Sequence, residues 1–144
     1  MSFKNEKQFK ERLKKRLTVT AHKHAKNAVQ RSTMLVEAEV QKSIKNEGTG
    51  RVYSRKAQPP HTASSAGDPP ATDQGDLGNN ITINITSKPD GSVIGQVISA
   101  SPYSKALEFG TTNMQARPFM QPALNKNKNK ILNLFKKEGI IKWA

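Results

Sequence analysis

Between about Asn5 and Asn46 the chain has neither proline nor glycine, and strong helix formers fill it. Phe9, Leu13, Leu17, Ala21, Ala25, Ala28/Val29, Val36, Val40 and Ile44 recur at helical spacing along this run. The pattern predicts an amphipathic helix of some 40 residues, or two helices broken near the β-branched Thr18-Val19-Thr20. Unbroken, such a helix is about 60 Å long, more than a chain of 144 residues needs to cover its own core. Its first half carries Lys10, Arg12, Lys14, Lys15 and Arg16, which leave an apolar stripe one residue wide. A helix of this kind projects from the fold as a solvated rod or lies against another subunit.

Glu47-Gly48-Thr49-Gly50 ends the run, and residues 51–75 hold four of the eight prolines with few large apolar side chains. This composition predicts a loop or extended arm. Within it, Arg51-Val52-Tyr53-Ser54 and His61-Thr62-Ala63-Ser64 are placed to pair as a short hairpin across Gln58-Pro59-Pro60. Asp73-Gln74-Gly75-Asp76-Leu77 reads as a capped turn leading to a strand. Ile81-Thr82-Ile83-Asn84-Ile85-Thr86 alternates strictly, so one face is buried. Asp90-Gly91 supplies turn chemistry, and Val93 to Ser99 returns antiparallel with apolar residues on both faces. A two-stranded ribbon is marginal alone and must pack on helices, gain strands or join a sheet between subunits.

From Ser101 to Leu124 three signals meet. Pro102 opens a short helix whose Tyr103, Ala106 and Leu107 share a face, and Gly110 stops it after Glu108-Phe109. Arg117-Pro118-Phe119 then leads into a closing helix over 118–138, with Pro118 in its first turn, or Pro122 if the helix starts near residue 120. Met120, Ala123, Leu124, Ile131, Leu134 and Phe135 lie along one side. The polar run from Asn125 to Lys130 interrupts them, and Ile140-Ile141-Lys142-Trp143-Ala144 forms an apolar tail after Gly139. The whole is expected to be one α+β domain: a basic helix over 1–46, an extended loop or arm over 47–77, and a β-hairpin plus C-terminal helices over 78–144.

Two blocks of this chain resemble the head–tail joining and tail-completion proteins of long-tailed bacteriophages, a family that includes the minor tail protein Z of lambda-like phages. One is Tyr103 followed by Glu108-Phe109-Gly110-Thr111 and then Ala116-Arg117-Pro118-Phe119-Met120, Pro122-Ala123-Leu124. The other is Gly50-Arg51-Val52-Tyr53, His61, Ala63-Ser64, Ala66-Gly67-Asp68-Pro69-Pro70-Ala71, then Asp73, Gly75 and Leu77. The resemblance implies a structural virion protein of the neck or top of the tail, assembled in the host cytoplasm. It implies a homo-oligomeric ring, a hexamer to match the tail, touching the head connector or stopper and the tail tube or terminator. Tyr53, Pro69, Pro70, Leu77, Tyr103, Glu108, Phe109, Arg117 and Phe119 are then candidates for subunit or partner contact.

Charge placement adds a second expectation. Residues 1–30 hold nine Lys/Arg against Glu6 and Glu11, residues 117–144 hold seven against Glu138, and the middle is neutral, so the net +13 sits on the two ends. Lys10, Arg12, Lys14, Lys15 and Arg16, with Lys126, Lys128 and Lys130, are candidates for electrostatic contact with packaged DNA or acidic protein rims. With few aromatics among them, sequence-specific reading of nucleic acid is not expected.

Catalysis is not expected either. The chain has no cysteine, His22 and His24 fall on different helix faces, and His61 is alone in the proline-rich segment. Asp68, Asp73 and Asp76 lack the pattern of a calcium loop. Glu108 has no acidic neighbour within about 17 positions on either side, where metal-dependent hydrolysis needs convergent carboxylates. Glu108 is instead expected to tie the Gly110–Arg117 loop by accepting backbone N–H groups or pairing with Arg117, within the subunit or to the next. Phe109 and Phe119 are expected as core anchors. No metal or cofactor is expected, and no run reaches the ~20 apolar residues of a membrane span. The basic N-terminus lacks the apolar segment of a signal peptide. The alternatives are a small basic protein that binds DNA non-specifically and, behind it, a phage nuclease acting through Glu108.

Overall fold

A computed structural model describes residues 6–46, 48–56, 58–71 and 75–140. The architecture is α+β, with a long N-terminal helix, two small antiparallel hairpins, a short helix and a C-terminal helix. The first element, α1 (Glu6–Ile44), is a single unbroken helix of 39 residues, so Thr18-Val19-Thr20 does not divide it. Thr18 hydrogen-bonds back to the carbonyl of Lys14 (2.9 Å), a local bond that a helix tolerates. Every buried residue of α1 lies between Ala28 and Ile44. Phe9, Leu13 and Leu17 are exposed, Leu17 to 62%, so the first half of the rod stands clear of the body.

The two hairpins differ in what they rest on. β1 (Val52–Arg55) pairs with β2 (Gln58–Thr62) with Val52 opposite Thr62 and Tyr53 opposite His61, and a bulge follows Tyr53. Pro59 and Pro60 therefore sit inside a strand rather than in the turn. This is tolerated because they lie at the bulge, where two β2 residues face the single Ser54 between the pairs Tyr53↔His61 and Arg55↔Gln58, so the ladder is already interrupted there. Residues 63–71 are more folded in than the expected arm. Ser64 and Pro70 are buried, Gly67 N–H donates to the Ala116 carbonyl (3.0 Å), and Thr49 hydrogen-bonds the Asp68 carboxylate. Gly48 allows this closure, since a Cβ there would come within 2.3 Å of the Thr62 and Ala63 carbonyl oxygens.

A one-turn helix, α2 (Asp76–Asn79), delivers the chain to β3 (Ile81–Ser87), and β4 (Val93–Ser99) returns in a regular register from Ile81↔Ser99 to Ser87↔Val93. Ile81, Ile83, Ile85, Val93 and Val97 face the second half of α1, while Ile94 and Ile98 are exposed on the opposite face. Gly95 lies against α1 so closely that a Cβ would be 2.0 Å from Thr33 Oγ1 and 2.7 Å from Val29 Cγ1. The sheet can approach the helix there only because the side chain is absent.

After α3 (Ser104–Phe109), the chain loops into α4 (Met120–Lys137), which packs along α1. The core is Val36, Val40, Ile44, Leu77, Ile81, Phe119 and Ala123, with Val97, Leu107, Met120 and Ile131 around it. Pro118 precedes the helix, and Pro122 occupies its first turn. The polar run on α4 does not break the buried face as expected. Asn127 is fully buried on it, donating Nδ2–H to the Ala123 carbonyl (3.0 Å) while its Oδ1 has no partner among the described residues. Residues 141–144, including Trp143, and residues 72–74, including Asp73, lie outside the described residues.

Candidate functional site

Glu108 accepts three backbone hydrogen bonds. Its Oε2 accepts the N–H groups of Phe119 (2.8 Å) and Met120 (3.0 Å), and its Oε1 accepts that of Gln121 (2.9 Å). These are the donors that the start of α4 leaves without helical partners, and the next residue, Pro122, has no N–H to satisfy. A carboxylate from α3 thus caps the positive end of α4 completely. Arg117 N–H donates to the Leu107 carbonyl (2.7 Å), and Thr111 N–H to that of Met114 (2.8 Å), so the 110–117 loop is closed from both sides. Gly110, at φ 76°, sits where a Cβ would press on Met114 O and Ala116 N at 2.9 Å. Glu108 ties this loop within its own subunit, through backbone donors.

Apart from Tyr53 and Pro69, the remaining predicted contact residues divide between two concavities. His61, Pro70, Leu77, Tyr103, Leu107 and Arg117 help line a small cleft of about 270 Å³. In it Leu77 and Pro70 are buried, Tyr103 is exposed, and Arg117 Nε is buried without a partner among the described residues. Glu108, Phe109 and Phe119 border a larger and mainly apolar groove of about 830 Å³ between α1, β4, α3 and α4. Phe119 is a core anchor at 1% exposure, so it has no surface to offer a neighbour. Phe109, expected in the core, is instead 77% exposed at the groove's edge. Phe109 lies about 200° round α3 from Leu107, the residue that packs on the core, and so faces outward. Tyr53 projects from β1 with the Arg51 guanidinium 5.5 Å from its ring centroid, and Pro69 is half-buried.

Sequence reasoning missed the groove itself. Val29, Thr33, Val36, Leu124 and Phe135 line it, and they come from two helices far apart in the chain. The available signal was Leu124, an apolar residue one position past the buried Ala123 and exposed to 46%.

The basic candidates stay on the surface. Lys10, Arg12, Lys14, Lys15 and Arg16 are exposed along projecting α1, Lys10 pairing with Glu6 (2.6 Å). Lys126, Lys128 and Lys130 are exposed on α4, and Lys126 bonds Glu39, which holds that carboxyl below its usual range. The histidines serve packing. His22 Nδ1 lies 3.2 Å from the Gly91 carbonyl in the β3–β4 turn, and His24 Nδ1 lies 2.8 Å from Glu138 Oε2 at the end of α4. That bond, with Arg31 nearby (3.5 Å), lowers the Glu138 pKa. Among the described residues no three His, Asp or Glu side chains converge to hold a metal ion, and no helix is long and apolar enough to cross a membrane.

Comparison with known proteins gives one match. No curated protein and no solved structure matches the chain. The family model for the bacteriophage HK97-gp10 tail component matches residues 7–110. The match takes in nearly all of α1, both hairpins and α3, and stops before the Ala116–Leu124 block. It spans well over half of the 144 residues, and the chain belongs to the HK97-gp10-like family of bacteriophage tail components.

Proposed function

We propose that this tail component forms a ring at the head–tail junction, six copies to match the tail, where it completes the top of the tail or joins it to the head connector. The observation that carries this reading is the amount of apolar surface one copy leaves uncovered. Among the described residues, Leu13 and Leu17 on projecting α1, the outer Ile94 and Ile98 of the β3–β4 hairpin, and Phe109 and Leu124 at the groove stand exposed. Uncovered apolar surface of this extent marks association. The protein works by binding rather than by reaction, and one unit over residues 1–144 carries the role. Its partners are its own copies, the connector or stopper, and the tail tube or terminator. Tyr53, Tyr103 and Phe109 are the exposed members of the contact set. The basic end of α1 steers docking or meets packaged DNA as it passes.

Deleting the chain from its phage tests this. The expected result is filled heads and separate tails that fail to join, or tails of faulty length. Normal particles without it would overturn the reading. The five exposed basic residues on α1 favour a second reading, non-specific DNA binding, which predicts tight binding by the purified chain with a steep inverse dependence on salt. The nuclease reading loses its residue, since both Glu108 oxygens are taken up in capping α4.

A further inference from the structure

Basic and acidic residues balance in number over residues 31–116, but not in place. Arg51, Arg55 and Lys56 fall close together, and no Asp or Glu stands between Arg51 and Thr62. This stretch is the β1–β2 hairpin. It is fixed at its base, where Gly50 N–H donates to the Ala63 carbonyl (2.8 Å) and Ala63 N–H to that of Arg51 (3.0 Å). Beyond the base it is bare. Arg51 to Ser54, Lys56, Pro59 and Pro60 are exposed, and the main packing of the fold joins α1, α2, β3, β4 and α4 without either strand.

The exposed side chains therefore add little to the core, and their chemistry is of one kind. Arg51 and Lys56 are cations, and Tyr53 and Ser54 carry hydroxyl groups. The Arg51 guanidinium lies 5.5 Å from the Tyr53 ring centroid, a stacked arrangement that reduces the freedom it has to lose on meeting an anion.

Two observations select the anion. Cations and hydroxyls without a carboxylate are the groups that grip the phosphate oxygens of nucleic acid. The form is a projecting two-stranded ribbon, a shape that the major groove of duplex DNA admits. An acidic protein rim would answer the charge and give no reason for the shape. The exposed Lys14, Lys15 and Arg16 of projecting α1 carry the same preference, so one polyanion can satisfy both projections.

We infer that the β1–β2 hairpin contacts the phosphate backbone of duplex DNA, with Arg51 and Lys56 each neutralising a phosphate. The contact is independent of base sequence, since phosphates are alike at every step. It rests on the reading in which the chain binds DNA and adds to it a site away from α1. It does not depend on the ring.

Salt dependence tests this. Full-length wild type, an Arg51→Gln/Lys56→Gln variant and a charge-keeping Arg51→Lys/Lys56→Arg variant are titrated with a short random-sequence DNA duplex over a range of salt. Each neutralised phosphate contributes about 0.9 to the slope of log affinity against log salt, so the Gln variant is expected to be shallower by about 2. The charge-keeping variant is expected to hold the wild-type slope. If it loses slope as the Gln variant does, the form of the hairpin rather than its charge was lost, and the assignment is overturned. A Gln variant with the wild-type slope also overturns it. If that variant in addition fails to replace wild type in phage particles, the hairpin belongs to an acidic protein surface instead. A Lys14→Gln/Lys15→Gln variant measured alongside separates the two DNA sites. Slope lost there and not in the hairpin variant leaves DNA binding standing and this site wrong, whereas a wild type that binds no duplex sinks both.

Discussion

At the scale of single residues, Glu108 decides how the C-terminal third is held. One side chain satisfies three backbone donors, closes the 110–117 loop and places a negative charge at the start of α4. Glu108→Gln removes the charge and turns an NH2 group toward N–H donors. The expected outcome is a loss of about 1–2 kcal/mol of stability, measured as a lower urea midpoint, with α4 fraying first. An unchanged midpoint would contradict this role. The acid beside an aromatic at the end of a short helix was legible in the sequence as a loop tie. That its partners are the N–H groups of residues 119–121 was not, because backbone donors leave no trace in residue identity. Phe109 and Asn127 mislead in opposite directions for one reason. Residue type predicts burial only on average, and here the place of Phe109 across α3 from Leu107 and the packing of α4 on α1 override it.

At the scale of elements, α1 is one helix with two environments. Residues 28–44 are built into the core through Gly95 and the face of α4, and no described residue before Ala28 is buried. His22 and His24 stand where these regimes meet, linking α1 to the β3–β4 turn and to the end of α4. The His24–Glu138 bond lowers the Glu138 pKa, with Arg31 adding to the effect. A carboxyl whose folded pKa is depressed contributes stability above its unfolded value, and loses it as pH falls through the folded one. The α1–α4 link is therefore expected to weaken as pH drops below ~4.3, the usual glutamate value. Urea midpoints of wild type and Glu138→Gln should converge there, with wild type falling more steeply; parallel curves would contradict the link. The sum of elements was legible in the sequence, since helical spacing, strict alternation and turn chemistry are local signals. How the elements meet was not, because the groove joins residues from both ends of the chain.

At the scale of the whole molecule, the ends carry the net charge of +13 and the surfaces left uncovered are apolar. These features respond oppositely to salt. Copies that repel one another through like charge but meet through apolar patches associate more readily as salt is raised. Binding to DNA weakens under the same change. Both follow from the sequence, which separates a basic helix from a near-neutral middle. The proposed ring is a property of many copies, and no single chain spells out its closure. The central claim is that this tail component acts by closing on its own copies at the neck of the particle. The most direct measurement is a reconstruction of the head–tail junction from intact phage without imposed symmetry. The account predicts a closed six-fold ring of this chain at the top of the tail. Isolated copies there, or a neck that lacks the chain, would contradict it.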